Sequence, residues 1–378
     1  MSKTLTNSRQ FVTSAGAFDL RRYPSRKEEP LKAWNSADVL LVEQMLELEA
    51  IPGSLLTVND EHGALALALR PAAQWTDSAL SMIAVKENCR RNNIEAPKTF
   101  TSVESPSGSF SAVAMKVPKQ LSYFEFQLSQ LCTIMPVNTV LVASGMDKHL
   151  SPQVAGLIEK YIGPTTRHRG KFKARCFCAA RDERSPGDTP ISWQSYYSEI
   201  LQGEMRSLAN VFSREKMDGG SRLLIEVVTS LEPAKHAIDL ACGNGVLGLT
   251  LYKLGLCKSL TLCDESAMAV DSASHNALNL MRNDIDNINT HHGDGLLNIP
   301  GPRAELIVCN PPFHSNHTVE EYVGKRLLAQ CANHLQHSGR LCLVANRHLN
   351  YLPTLKKGFS RVDKLSDNGK FIVWLAKK

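Results

Sequence analysis

In the second half of the chain, short apolar runs alternate with longer stretches whose apolar residues recur at helical spacing. Ala237–Ala241 (AIDLA), Ser259–Asp264 (SLTLCD), Glu305–Cys309 (ELIVC), Arg340–Asn346 (RLCLVAN) and Phe371–Ala376 (FIVWLA) read as strands. Val246–Leu254, Ala267–Met281 and Val319–Leu335 read as the helices between them. A further helix over Ser221–Leu231 is predicted ahead of the first strand, with Ser221 as its N-cap after the Gly219-Gly220 turn. Alternation of this kind predicts an α/β fold with a parallel, doubly wound sheet covered by helices on both faces. One strand ends abruptly: Leu306–Cys309 runs straight into Asn310-Pro311-Pro312-Phe313. Proline cannot donate to a sheet ladder, so the tetrapeptide falls at the strand's C-terminal end, the edge of such a sheet where ligands bind.

The first half repeats the plan in weakened form. With Leu55–Leu69 set under Ala237–Leu251, Gly63, Leu65, Leu67 and Leu69 match Gly245, Leu247, Leu249 and Leu251. Two more blocks follow in the same order, Ala112–Lys119 against LIVCNPPF and Leu141–Leu150 against Leu343–Leu349. Collinear order, rather than any single match, argues for a duplication. The residues that differ are polar or glycine: Asp239 becomes Thr57, Gly243 becomes Glu61 and Gly248 becomes Ala66. Asn310, Pro311 and Phe313 become Lys116, Val117 and Lys119. The first copy is therefore expected to keep the apolar skeleton without the site.

A length of 378 residues suits two domains. The loop-rich RSPGDTP stretch, Arg184–Pro190, marks a boundary, which divides the chain into residues 1–164, a basic linker 165–190 and residues 191–378. No stretch approaches the roughly 18 uninterrupted apolar residues of a membrane helix, and the opening MSKTLTNSRQ has no apolar run of a secretory signal. Ten cysteines without a Cys-x-x-Cys pair, many inside apolar runs, predict reduced, buried thiols and a cytoplasmic protein. His291, His292, His314 and His317 stand without Cys or carboxylate partners at zinc spacing, so no metal is expected. The net charge of +6 is concentrated in Thr165–Arg184, where seven cationic side chains face two carboxylates. Arg167, Arg169, Lys171, Lys173 and Arg175, interleaved with Phe172 and Phe177, suit either a nucleic-acid backbone or a solvated surface ribbon.

Candidate chemistry begins at Ile238–Leu249, a strand entering a helix through a glycine-rich turn. Gly243, Gly245 and Gly248 satisfy the Gly-x-Gly-x-x-Gly spacing of a dinucleotide site, so the glycines alone leave an NAD-dependent oxidoreductase open. Asp239 tilts the balance, because a carboxylate there repels a pyrophosphate yet accepts from a cationic amino-acid ligand; this favours S-adenosylmethionine. Asp264 lies 25 residues on, at the end of the next strand, where an acidic side chain can hold ribose hydroxyls. Asp294, between Gly293 and Gly295, follows 30 residues later, placed to accept from an adenine amino group.

The glycine turn, Asp264, Asp294 and Asn310-Pro311-Pro312-Phe313 occur in the order of class I S-adenosylmethionine-dependent methyltransferases acting on exocyclic or amide nitrogens. Ending in Phe313-His314, and accompanied by the degenerate first copy and the run Val211–Leu224 (VFSREKMDGGSRLL), the chain resembles the bacterial ribosomal RNA guanine-N2 methyltransferases over nearly its whole length. The resemblance implies two tandem Rossmann-like methyltransferase domains with an antiparallel edge strand in each sheet, and a specific guanine of ribosomal RNA, foremost of the large subunit, as target. It implies cofactor binding by Asp239, Gly243, Gly245 and Asp264. Asn310 and Pro311 would accept the two N–H bonds of the base amine while Phe313 stacks on the base. It assigns the basic segment Arg167–Arg175 to RNA contact. Ala241 departs from the glycine common in such turns and is expected to be tolerated. Small-subunit RNA, protein glutamine or DNA adenine as methyl acceptor, and a non-catalytic RNA-binding assembly factor, are the alternatives.

Overall fold

The structure is a computed structural model that describes residues 9–26, 29–183, 193–311 and 317–378, with side chains of the last segment from 322 onward. The chain divides into two compact units, Met1–Ser192 and Trp193–Lys378.

In the first unit a hairpin, β1 (Gln10–Thr13) with β2 (Gly16–Asp19), precedes α1 (Ser36–Glu47). There follow β3 (Leu55–Val58), α2 (Ala64–Leu69), β4 (Ala73–Thr76), α3 (Ala79–Arg91), β5 (Lys98–Thr101) and β6 (Ala112–Lys116). α4 (Leu121–Ile134), β7 (Val140–Met146), α5 (Val154–Tyr161), β8 (Thr165–Arg167) and β9 (Ala174–Ala180) complete it. Its sheet runs β5-β4-β3-β6-β7-β9-β8, parallel except at β9 and β8.

The second unit repeats this element by element. Hairpin β10 (Gln194–Ser198) and β11 (Gly203–Ser207) precedes α6 (Gly219–Val228), β12 (Ala234–Leu240), α7 (Val246–Lys253) and β13 (Cys257–Asp264). Then come α8 (Ala267–Leu280), β14 (Ile288–His292), β15 (Ala304–Cys309) and α9 (His317–His334). β16 (Leu335–Asn346), α10 (Leu352–Gly358), β17 (Arg361–Asp367) and β18 (Phe371–Lys377) close it. The sheet order β14-β13-β12-β15-β16-β18-β17 is that of the first unit, with β18 and β17 again the antiparallel strands. Both sheets carry apolar clusters on each face. Around β12, for example, Ile238 and Leu240 pack with Leu328 and Leu343, while Ala237 packs with Leu224 and Leu249 on the other side. Strands buried on both faces in this way belong to a helix-covered parallel sheet.

Three sequence expectations change. The segment read as a linker from residue 165 instead begins with strands: β9 pairs antiparallel with β7 from Val140↔Ala180 to Met146↔Ala174, and β8 pairs with β9. Ser221 is not the cap of α6. Asp218 is, its carboxylate accepting from the N–H groups of Gly220 (2.8 Å) and Ser221. Finally, β14 and β17 were not foreseen, because edge strands with few buried residues carry no apolar run.

Candidate active site

The order of the second sheet places its reversal between β12 and β15: the chain winds outward through β13 and β14, then returns to start β15 on the other side of β12. At such a switch point the loops leaving adjacent strands diverge and open a crevice at their C-terminal ends. Asp239, Asp264 and Asn310 all stand at that edge, on β12, β13 and just beyond β15.

The turn after β12 is built by backbone conformation. Ala241 (φ +59°), Gly243 (φ +55°) and Gly245 (φ +84°) all lie in the left-handed region, which glycine enters without steric cost. A Cβ on Gly243 would meet nothing within 4 Å, so the turn is open above that residue. Gly248 serves packing: its Cβ would approach the Leu262 side chain to 2.5 Å and Asp239 Cβ to 2.9 Å. Helix α7 thereby lies close on β12 and β13, and the Gly248 N–H donates to Asp239 Oδ2 at 2.8 Å.

Asp239 is fully buried, and its Oδ1 has no hydrogen-bond partner among the described residues. Burial pushes its carboxyl up to about 7; the Gly248 N–H opposes the shift and the Asp264 charge adds to it. A buried carboxylate with a vacant oxygen is the natural partner of a cation, and this fits the ammonium of a bound amino-acid moiety. Asp264 tightens the turn, its Oδ2 accepting from Gly243 N–H at 2.9 Å and its Oδ1 from Ser266 N–H at 3.0 Å.

Asn310 presents the same kind of vacancy. Its Nδ2 donates to Ser221 Oγ at 2.9 Å and Asp218 Oδ2 at 3.2 Å. Its Oδ1 is buried and unpartnered among the described residues. Pro311 is buried beside it, while Pro312 and Phe313 lie outside the described residues.

Two groups of expected site residues are placed differently. Asp294 does not present a vacant carboxylate: Arg326 of α9 grips it with both terminal guanidinium nitrogens, and it is buried in that pair. The basic residues sit on the β8–β9 hairpin of the first unit. There Lys171 pairs with Glu43 (3.1 Å), Arg175 with Asp147 (3.0 Å), and the Arg167 guanidinium lies over the Phe177 ring. Arg169 and Lys173 are exposed and have no carboxylate partner among the described residues.

The family described as the RLMG N-terminal domain matches residues 8–183, and the methyltransferase small domain matches residues 202–375. The ribosomal RNA large subunit methyltransferase G of Alcanivorax borkumensis is 33% identical over 374 residues, covering 95% of this chain and 94% of the relative. That of Ectopseudomonas mendocina is 36% identical, covering 97% and 99%. The chain belongs to the ribosomal RNA large subunit methyltransferase G family. Its tandem fold is shared by the T. thermophilus 16S rRNA N2 G1207 methyltransferase, solved in complex with AdoMet and guanosine. That structure has a TM-score of 0.77 and 19% identity, with 98% of this chain and 97% of that one covered. The family resemblance read from the sequence thus holds over nearly the whole chain.

In this methyltransferase G family member the sequence reading missed Asn276. Buried on α8, it accepts from Arg206 N–H (2.9 Å) and donates to Arg206 C=O (2.8 Å) and Asn244 C=O (2.9 Å), tying hairpin strand β11 to the glycine turn. Asn88 does the same in the first unit, bonding Arg21 N–H and C=O and His62 C=O. A single Asn within a helical pattern looks like a surface residue. Only its recurrence at corresponding places in the two copies was available as a signal.

Proposed function

We propose that the second unit transfers a methyl group from S-adenosylmethionine to the exocyclic N2 of a specific guanine in large-subunit ribosomal RNA, in the cytoplasm. The observation that carries this is the buried Oδ1 of Asn310 at the sheet's switch point, which has no hydrogen-bond partner among the described residues. The family's name supplies the RNA.

Asp239 would hold the cofactor's ammonium, Asp264 its ribose hydroxyls, and Gly243 and Gly245 would let the backbone approach it. When bound, S-adenosylmethionine supplies a methyl group made electrophilic by a positively charged sulfur. The protein's task is to present a poor nucleophile, since the lone pair of a guanine amine is delocalised into the ring. Asn310 Oδ1 accepts one amine N–H and the Pro311 carbonyl the other, which turns the lone pair out of conjugation. Phe313 stacks on the base once it has left its helix. The methylated nitrogen then gives one of its protons to solvent.

The first unit supports RNA binding rather than chemistry, with Arg169 and Lys173 contacting phosphates at the tip of the β8–β9 hairpin. The test is mass spectrometry of ribosomal RNA from cells lacking the gene. One N2-methylguanosine of 23S RNA should be absent and should return with the wild-type gene; an unchanged methylguanosine content contradicts the assignment.

A further inference from the structure

A primary amide has a donor end and an acceptor end of nearly equal size, so a pocket that uses one must specify which way round the amide lies. Two groups accept from the Asn310 amide nitrogen. Ser221 Oγ, at 2.9 Å, can donate or accept and therefore sets no direction. Asp218 Oδ2, at 3.2 Å, belongs to a carboxylate that can only accept. Its other oxygen, Oδ1, is anchored by Gly220 N–H at 2.8 Å, so the first turn of α6 holds the carboxylate in place. Gly220 leaves room for that carboxylate: a Cβ there would come within 3.1 Å of Asp218 Oδ1.

We infer that Asp218 is a positioning residue that sets the polarity of the base pocket. By claiming the NH₂ of Asn310 it turns Oδ1 toward the substrate, so the pocket accepts an amine and rejects a carbonyl at that point. Ser221 adds a second bond in the same sense. The inference rests on the proposed role of Asn310 and adds to it the residue on which that role depends.

The first unit shows what other residues do at these places. Its α1 starts with Asn35 as N-cap and Asp38 three residues on, where α6 has Asp218 and Ser221. The strand partner is Lys116 in place of Asn310, and Lys116 Nζ lies 2.5 Å from Asp38 Oδ1. An ion pair fills the position.

The test uses the full chain carrying Asp218→Asn, Ser221→Ala, Ser221→Thr or Asn310→Ala. Asparagine caps a helix as well as aspartate, so Asp218→Asn keeps α6. With its oxygen held by the helix, however, it offers NH₂ to Asn310, whose amide must then reverse and put a donor in the pocket. The expected result for Asp218→Asn is a kcat on 23S RNA lowered about a hundredfold. The calorimetric dissociation constant for S-adenosylmethionine should stay within about twofold and Tm within about 2 °C. Ser221→Ala should lose less, and Ser221→Thr, which keeps the hydroxyl, should recover most of that loss. If Asn310→Ala is inactive but Asp218→Asn turns over normally, or if Asp218→Asn loses cofactor affinity and Tm together with kcat, the inference is overturned. If Asn310→Ala is itself active, the underlying role of Asn310 fails, and the inference with it.

Discussion

Lys116 in the first unit stands in strand register where Asn310 stands in the second. Met115 pairs with Val58 on the central strand as Cys309 pairs with Leu240, and the next residue is Lys116 in one copy and Asn310 in the other. One copy fills this place with a buried ion pair, Lys116–Asp38. The other keeps an amide whose acceptor oxygen has no partner among the described residues. Burial pulls the Lys116 ammonium down, but the charges of Asp38 and Glu61 outweigh that, so it stays protonated. At this position the first copy carries a strut.

Lys116→Met should therefore cost stability and no chemistry. Removing one member of a buried pair leaves the other charge uncompensated, at about 3–5 kcal/mol. Denaturant melts should show the loss. S-adenosylmethionine affinity should not move, and a weakened cofactor would place the ion pair in a working site.

If Asp239 holds the cofactor's ammonium as proposed, cofactor binding should depend on pH. The Asp239 carboxyl is raised from 3.8 to about 7 in the fold, so below that pH it is protonated and cannot pair with an ammonium. Affinity should rise by up to about tenfold per pH unit from 5.5 towards 7 and level off above. The sign reverses for the protein without ligand: a raised carboxyl favours the fold at low pH, and that contribution fades as pH climbs from about 4 through 7. Calorimetric titrations across this range should show the slope, and Asp239→Asn should flatten it and weaken binding.

Ala241 has φ +59° and its counterpart Asn59 has φ +60°, so both copies hold a left-handed residue where the turn leaves the strand. Ala241→Gly should be neutral or slightly stabilising, while Ala241→Val forces a β-branched side chain into this region and should cost about 2 kcal/mol. Thermal melts decide it; a Val variant as stable as wild type would mean the turn can relax.

Arg169 and Lys173 should act through phosphate contacts. Replacing both with glutamine should weaken binding to 23S RNA fragments and reduce the log–log salt slope by roughly 1.5–2. Lys171→Gln and Arg175→Gln should do less, because those cations already face Glu43 and Asp147. An unchanged slope in the double variant would return the hairpin to ordinary surface.

What could be read in the sequence was what periodicity and backbone chemistry encode. The central strands announce themselves as apolar runs, the β12–α7 turn by its glycines, and the end of β15 by its prolines. Polar β14 and β17 carried no such mark. Partners were illegible for the same reason: Asp294 has the spacing of an adenine acceptor, and nothing in GDG reveals that Arg326, 32 residues on, will take its carboxylate. Asp218 lies in the run Val211–Leu224, which in the sequence carries only a family resemblance. Its carboxylate divides between a helix cap and an amide 92 residues away, a link that exists only in three dimensions.

The most direct test of the account is single-turnover methyl transfer from S-adenosylmethionine to unmodified 23S RNA by wild-type protein and Asn310→Ala, with the cofactor's dissociation constant measured for each. The account predicts transfer to one guanine by the wild type. For the variant it predicts a rate lower by about a hundredfold or more with cofactor affinity unchanged. Wild-type rates from Asn310→Ala would contradict it.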